Sequence, residues 1–140
     1  MSRPHRTAHE TALAFVDAIN GHDVDRLLDL SSKEPRCVDS RGDEVCGRDA
    51  LRRAWLSYFE LFSDYRIEVE AVAAVDVVVL IAGWAVGTFR AGQDGASAWR
   101  IPAAWRALVH DQAVDTWQVY ADNTPVIAIL ARAASREGTT

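Results

Sequence analysis

Two acids flank a tight corner in the ten residues CVDSRGDEVC, Cys37 to Cys46. Asp39 stands two residues after Cys37 and Glu44 two before Cys46, with Arg41-Gly42 between them as the turn. A carboxylate on such a corner has two roles open to it. It can fold back and accept hydrogen bonds from the turn's own N–H groups. Alternatively it can project into a cavity, where partial removal from water raises its pKa and suits it to take a proton from carbon beside a carbonyl. Asp43 and Glu44 read as solvated. Asp122, which precedes Asn123 and Thr124, either caps the helix that follows or adds a second carboxylate to the same cavity.

The cysteines depend on the same corner. With a two-residue loop, Cys37 would face Cys46 as a non-hydrogen-bonded pair with Cα atoms about 4.5 Å apart, within reach of a disulfide. A disulfide, a redox pair and two small buried hydrophobes are all compatible with that spacing, and a reducing cytoplasm favours the thiols.

Around these acids the chain is rich in aromatic side chains that recur at helix and strand spacing. Trp55, Tyr58, Phe59 and Phe62 fall within one helical segment, while Trp84, Trp105 and Trp117 fall on strand-like runs. Such residues either fill a core or line an apolar cavity able to hold a ring-shaped ligand. Five tryptophans in 140 residues exceed what core filling usually uses, and buried indole N–H groups need partners.

Other chemistries lack their residues. His5 and His9 are four apart, but the helix cap at Thr7 lies between them, so they cannot share one helical turn as metal ligands. No phosphate loop, dinucleotide fingerprint or nucleophile elbow occurs, so neither a metal nor a cofactor is expected. The net charge is −5 and Lys33 is the only lysine, which disfavours nucleic acid as a partner. No stretch reaches the roughly 18 apolar residues of a membrane span. The opening MSRPHRTAHE lacks the apolar core of a signal peptide, so a cytoplasmic protein with no membrane partner is expected. A length of 140 residues suits a single domain over 1–140.

The elements that must position these residues follow from pattern. Thr7-Ala8-His9-Glu10 has the form of a capping box, and Ala12, Phe15, Val16 and Ile19 continue at helical spacing to a left-handed stop at Asn20-Gly21. Asp23 caps a short helix bearing Val24, Leu27 and Leu28. Short strands at 36–39 and 44–46 flank the corner, and a third helix spans 48–62. Strands at 65–73, 77–89, 98–109 and 113–121 then make an antiparallel meander, with turns at Asp76, at 91–95 and at 110–112. Thr124-Pro125 opens a last helix along Val126, Ile129, Leu130 and Ala133.

Three segments carry a resemblance. Ala14-Phe15-Val16-Asp17-Ala18-Ile19-Asn20 with His22-Asp23, then Gly47-Arg48-Asp49-Ala50-Leu51, and finally Trp117-Gln118-Val119-Tyr120-Ala121-Asp122 resemble the nuclear transport factor 2-like superfamily over roughly residues 8–130. That group includes ketosteroid isomerases, limonene-epoxide hydrolase and SnoaL-like polyketide cyclases. The resemblance implies an α+β, cystatin-like cone, in which N-terminal helices pack on a strongly curved antiparallel sheet that encloses a pocket. It also implies a homodimer through the sheet.

By the same resemblance Asp39 takes the place of the isomerases' general-base aspartate. The positions matching their oxyanion-hole donors are Phe15 and Ala103, which have no side-chain donor; losing both makes steroid isomerisation improbable, since each such donor contributes about 3–4 kcal/mol. Asp122 matches an acid on the last strand of limonene-epoxide hydrolase and of the cyclases, but the run Ile81-Ala82-Gly83-Trp84-Ala85-Val86 lacks the hydrolase's arginine and second aspartate. The expected protein therefore holds a small hydrophobic molecule. It is either an acid-base enzyme of isomerase, cyclase or hydrolase type on a polyketide-like or terpenoid compound, or a non-catalytic binder. Asp39 and Asp122 are its candidate catalytic groups, with Phe15, Trp55, Tyr58, Phe59, Phe62, Trp84, Ala103, Trp105 and Trp117 as candidate contacts.

Overall fold

A computed structural model describes residues 5–89 and 97–137. Helix α1 (Ala8–Asn20) begins in the expected capping box: the Glu10 N–H donates to Thr7 Oγ1 and the Thr7 N–H to Glu10 Oε1. It ends one residue later than its apolar stripe suggests. The left-handed position is His22 (φ 52°), whereas Gly21 keeps right-handed helical geometry. The Asn20 side chain exchanges two hydrogen bonds with the backbone of Ile67 and ties the helix to the sheet. Helix α2 (Val24–Asp29) is capped by Asp23, and the Arg48 guanidinium donates to the carbonyls of Leu28 and Ser31 at its far end.

Six strands form one open, mixed sheet in the order β2-β1-β6-β5-β4-β3. They are β1 (Ser31–Val38), β2 (Glu44–Cys46), β3 (Arg66–Val75), β4 (Val78–Thr88), β5 (Ala98–His110) and β6 (Ala113–Ala121), with α3 (Arg48–Leu61) after β2 and α4 (Thr124–Glu137) last. The last four strands are the expected antiparallel meander. Asp111 and Gln112 both take positive φ in the two-residue turn between β5 and β6. The turn expected at 91–95 lies outside the described residues. The chain thus has the α+β, cystatin-like cone architecture, with the helices against one face of the sheet.

Strand β1 starts five residues earlier than its sequence suggests and runs parallel to β6. Its register shifts between Ser31 and Arg36, where Pro35 has no N–H to give a ladder.

The hairpin between β1 and β2 corrects a second expectation. Its loop has three residues, Ser40-Arg41-Gly42, closed by bonds from the Asp39 N–H to the Asp43 carbonyl and from the Gly42 N–H to the Asp39 carbonyl. Gly42 supplies the positive φ (91°) that such a loop needs. The register slips by one, so Cys37 faces Val45 and Arg36 faces Cys46. A slip of one residue reverses which face a side chain occupies. Both cysteines are free thiols, Cys46 exposed and Cys37 turned inward.

Strand β3 carries a bulge between Val69 and Ala71 opposite Gly83. A Cβ at Gly83 would lie 1.9 Å from the Glu68 carbonyl oxygen, so only glycine admits this approach. The core lies between the helices and the concave face of the sheet, with Phe15, Ile19, Leu27, Leu51, Ile81 and Trp105 among its fully enclosed members.

Candidate functional site

Strict alternation along the central strands decides what the cavity contains. On β5 the inward residues are Trp99, Ile101, Ala103, Trp105, Ala107 and Val109; on β6, Trp117, Val119 and Ala121 share the inner side. Above them α3 lays Leu51, Ala54, Trp55 and Tyr58 one turn apart. The space left between is a cavity of about 300 Å³, at the lower end of the range for small-molecule sites. Four tryptophans (55, 99, 105, 117) and two tyrosines (58, 65) line it.

The tight ends of this cavity differ. Asp39 and Asp43, on the loop between β1 and β2, are exposed at its rim beside Asn123. Asn123 Nδ2 donates to Ser40 Oγ and so links that loop to the segment after β6. Asp39 Oδ1 accepts from the N–H groups of Arg41 (2.8 Å) and Asp43 (3.0 Å), while Oδ2 accepts from no described residue. Asp39 therefore takes the first role read from its sequence, acceptor of its own turn, and stands exposed at the border of the cavity. It is not half-removed from water.

Toward the other edge of the sheet the cavity is closed by rings. Tyr58 meets Tyr65 edge-on at 4.9 Å, Phe62 meets Trp99 edge-on at 5.4 Å, and Tyr65 lies 6.0 Å from Trp99. Burial pushes the phenols of Tyr58 and Tyr65 well above their ordinary pKa. Cys37 also lines the cavity; burial pushes its thiol up to about 12, only partly opposed by a hydrogen bond with the Trp55 side chain. At neutral pH it is a thiol, not a nucleophile.

Of the residues selected from sequence, Asp39, Trp55, Tyr58, Trp105 and Trp117 border the cavity. Phe15, Phe59, Phe62 and Ala103 do not; they are buried core behind its walls, Phe15 packing on Trp117 at 4.8 Å. Trp84 lies on the opposite face of the sheet, where its Nε1 donates to Glu70 Oε1 and the Arg100 guanidinium sits 3.9 Å over its ring.

Asp122 is outside the lining and exposed. Its Oδ1 accepts from the Thr124 hydroxyl and the Thr124 N–H, which hold its pKa below the usual carboxylate value. The reason is alternation: Trp117, Val119 and Ala121 point in, so the next residue points away. Sequence reasoning missed Tyr65 and Trp99. Counting back by twos from Trp105 reaches Trp99, so that signal was present; Tyr65 precedes its strand and had none. Among the described residues no cluster of side chains has metal-ligand geometry.

Comparison with known proteins agrees with this architecture. Residues 12–114 match the SnoaL-like domain, and the chain belongs to that family. Comparison with curated proteins finds no match.

Among solved structures it is similar to a hypothetical protein of ketosteroid isomerase-like fold from Catenulispora acidiphila, determined in complex with trimethylamine (TM-score 0.76, 17% identity, 87% of this chain and 92% of that one). A candidate SnoaL-like polyketide cyclase from Jannaschia sp. CCS1 superposes equally well (0.76, 18%, 92% and 98%). An uncharacterised cystatin-fold protein from Novosphingobium aromaticivorans follows (0.70, 20%, 82% and 98%). At these identities the likeness is one of fold.

Proposed function

We propose that this protein binds a small apolar, ring-shaped compound of the polyketide or terpenoid kind, and that Asp39 serves as proton acceptor at the rim of its cavity. The observation that carries the reading is an aromatic cavity of about 300 Å³ bordered by a carboxylate with one oxygen free of protein partners among the described residues. Family membership and the similar candidate cyclase support it. Asp122 has no part in it.

A second reading, a non-catalytic binding protein, is favoured by a different observation. Asp39 is exposed and its Oδ1 is held by its own loop, while Phe15 and Ala103 offer no side-chain donor to a developing oxyanion.

Exchange of the protons beside the carbonyl of 2-tetralone in heavy water, followed by NMR, separates the two. An acid-base site accelerates it, and Asp39→Asn, which keeps the loop acceptor, lowers that acceleration by about 100-fold or more while affinity changes by at most about 1–2 kcal/mol. No acceleration by the wild type leaves only the binding protein.

Cytoplasmic residence and pairing of two copies through the convex sheet face belong to the same proposal. Leu80 and Tyr120 are exposed on that face. No helix among the described residues is long and apolar enough to cross a membrane.

A further inference from the structure

We propose that the buried end of the cavity is a subsite for an uncharged hydrogen-bond acceptor, a ketone, ester or lactone carbonyl on an apolar ligand, held by the hydroxyls of Tyr58 and Tyr65. This rests on reading the cavity as a small-molecule site and names the class of molecule it takes.

Tyr58 comes from α3 and Tyr65 from the residue before β3, and both border the cavity with their rings edge to face. Neither hydroxyl has a hydrogen-bond partner among the described residues. Tyr65 is 7% exposed. Next to it, the Nε1 of Trp99 is buried and also has no partner. Two neutral donors, the tyrosine hydroxyls, thus stand at one end of an apolar cavity with no acceptor for them among the described residues. The two hydroxyls open on the cavity among apolar walls, so an acceptor on the ligand gains more here than at a hydrated surface.

Burial keeps both phenols protonated, which preserves them as donors. The acceptor they suit is uncharged. Among the described residues, Asp39 and Asp43 are the only charged side chains bordering the cavity, and no arginine, lysine or histidine does. A carboxylate or phosphate would find no counter-ion and two like charges among them. The two ends are also well separated in the fold: Asp39 follows β1 near one edge of the sheet, and Tyr65 precedes β3 at the other. A ligand is therefore oriented carbonyl first. The two tyrosines stand on different elements from Phe15 and Ala103, the positions where the resemblance would have placed such donors.

The test titrates three probes by quenching of intrinsic tryptophan fluorescence: 2-tetralone, tetralin (the same rings without the carbonyl) and 2-naphthoate (an anion of similar size). Replacing each tyrosine by phenylalanine should weaken 2-tetralone binding by about three- to tenfold per hydroxyl and change tetralin binding by less than about twofold. The infrared carbonyl stretch of bound 2-tetralone should fall on binding to the wild type and return toward its free value in Tyr58→Phe/Tyr65→Phe.

The proposal is overturned if the folded double variant binds the ketone unchanged, if tetralin weakens equally, or if 2-naphthoate binds as tightly as the ketone. Should the double variant not fold, the single Tyr58→Phe variant and the wild-type infrared shift decide in the same way. Tetralin binding without any tyrosine dependence of the ketone defeats this subsite and leaves the cavity reading intact; binding of neither ring compound defeats both.

Discussion

The two ends of the cavity are built on opposite principles. At the rim, Asp39, Asp43 and Asn123 are polar, and the hydrogen bonds there hold the loop: Asp39 accepts from the loop that carries it, and Asn123 donates to Ser40 on that loop from the segment after β6. At the buried end, Tyr58, Phe62, Tyr65 and Trp99 hold each other by ring contacts, and the two hydroxyls and the indole N–H have no partner among the described residues. The rim satisfies itself and leans on solvent; the buried end is mechanically fixed and chemically incomplete. On the proposed reading, a site divided in this way draws affinity and orientation from its closed half and leaves its open half to carry chemistry.

The strongest test of the division removes a wall. Trp105 borders the cavity from β5 and is 1% exposed. Trp105→Ala should lower stability by about 3–5 kcal/mol in urea denaturation, since the lost contacts leave space the sheet cannot close. At the rim, Asp43→Ala should stay within about 0.5 kcal/mol, because that side chain makes no hydrogen bond with any described residue. Equal effects at the two positions would break the comparison.

A middle-sized effect comes from beneath Trp99. Gly87 is its cross-strand partner, and a Cβ there would lie 2.7 Å from Trp99 Cζ2. The indole is 6% exposed and packed on Phe62, so it cannot swing aside. Gly87→Ala should cost about 1–3 kcal/mol and shift the near-ultraviolet circular dichroism of the aromatic end. Unchanged spectra with lost stability would show that the rings at this end are less fixed than described.

How much of this was legible before folding follows from the range of each signal. The stripe Leu51, Trp55, Phe59 on α3, which ends one residue before Phe62, and the period of two on β5 are local, and both patterns read correctly. The slip of the hairpin register turned on one residue of loop length, which a Gly at φ 91° decides only in three dimensions. Polar Ser31-Ser32-Lys33-Glu34-Pro35 gives no strand pattern, because its pairing partner, β6, is some eighty residues away. Trp84 was separable from the cavity set because it is out of parity with the inward Val79 and Ile81, a count that aromatic identity alone concealed. Phe15, Phe59 and Phe62 were not separable, since helix spacing shows which face is buried but not whether that face meets protein or a cavity.

The smallest expected effect concerns Asp122 and marks where the rim ends. The Thr124 hydroxyl, then its N–H, hold this carboxyl below its usual pKa in the folded chain. A folded value below the unfolded one means that the charged acid stabilises the fold above the unfolded pKa, and that this contribution fades as pH falls through the folded value. Wild type and Asp122→Asn should therefore differ slightly in urea midpoint at pH 7, with the wild type more stable, and converge in acid. Full exposure keeps the difference small. Binding of 2-tetralone and its proton exchange should be the same in both proteins, because Ala121 is the last residue of β6 to face the cavity. A change in either would carry the chemical half of the site past the strand end and onto the cap of α4.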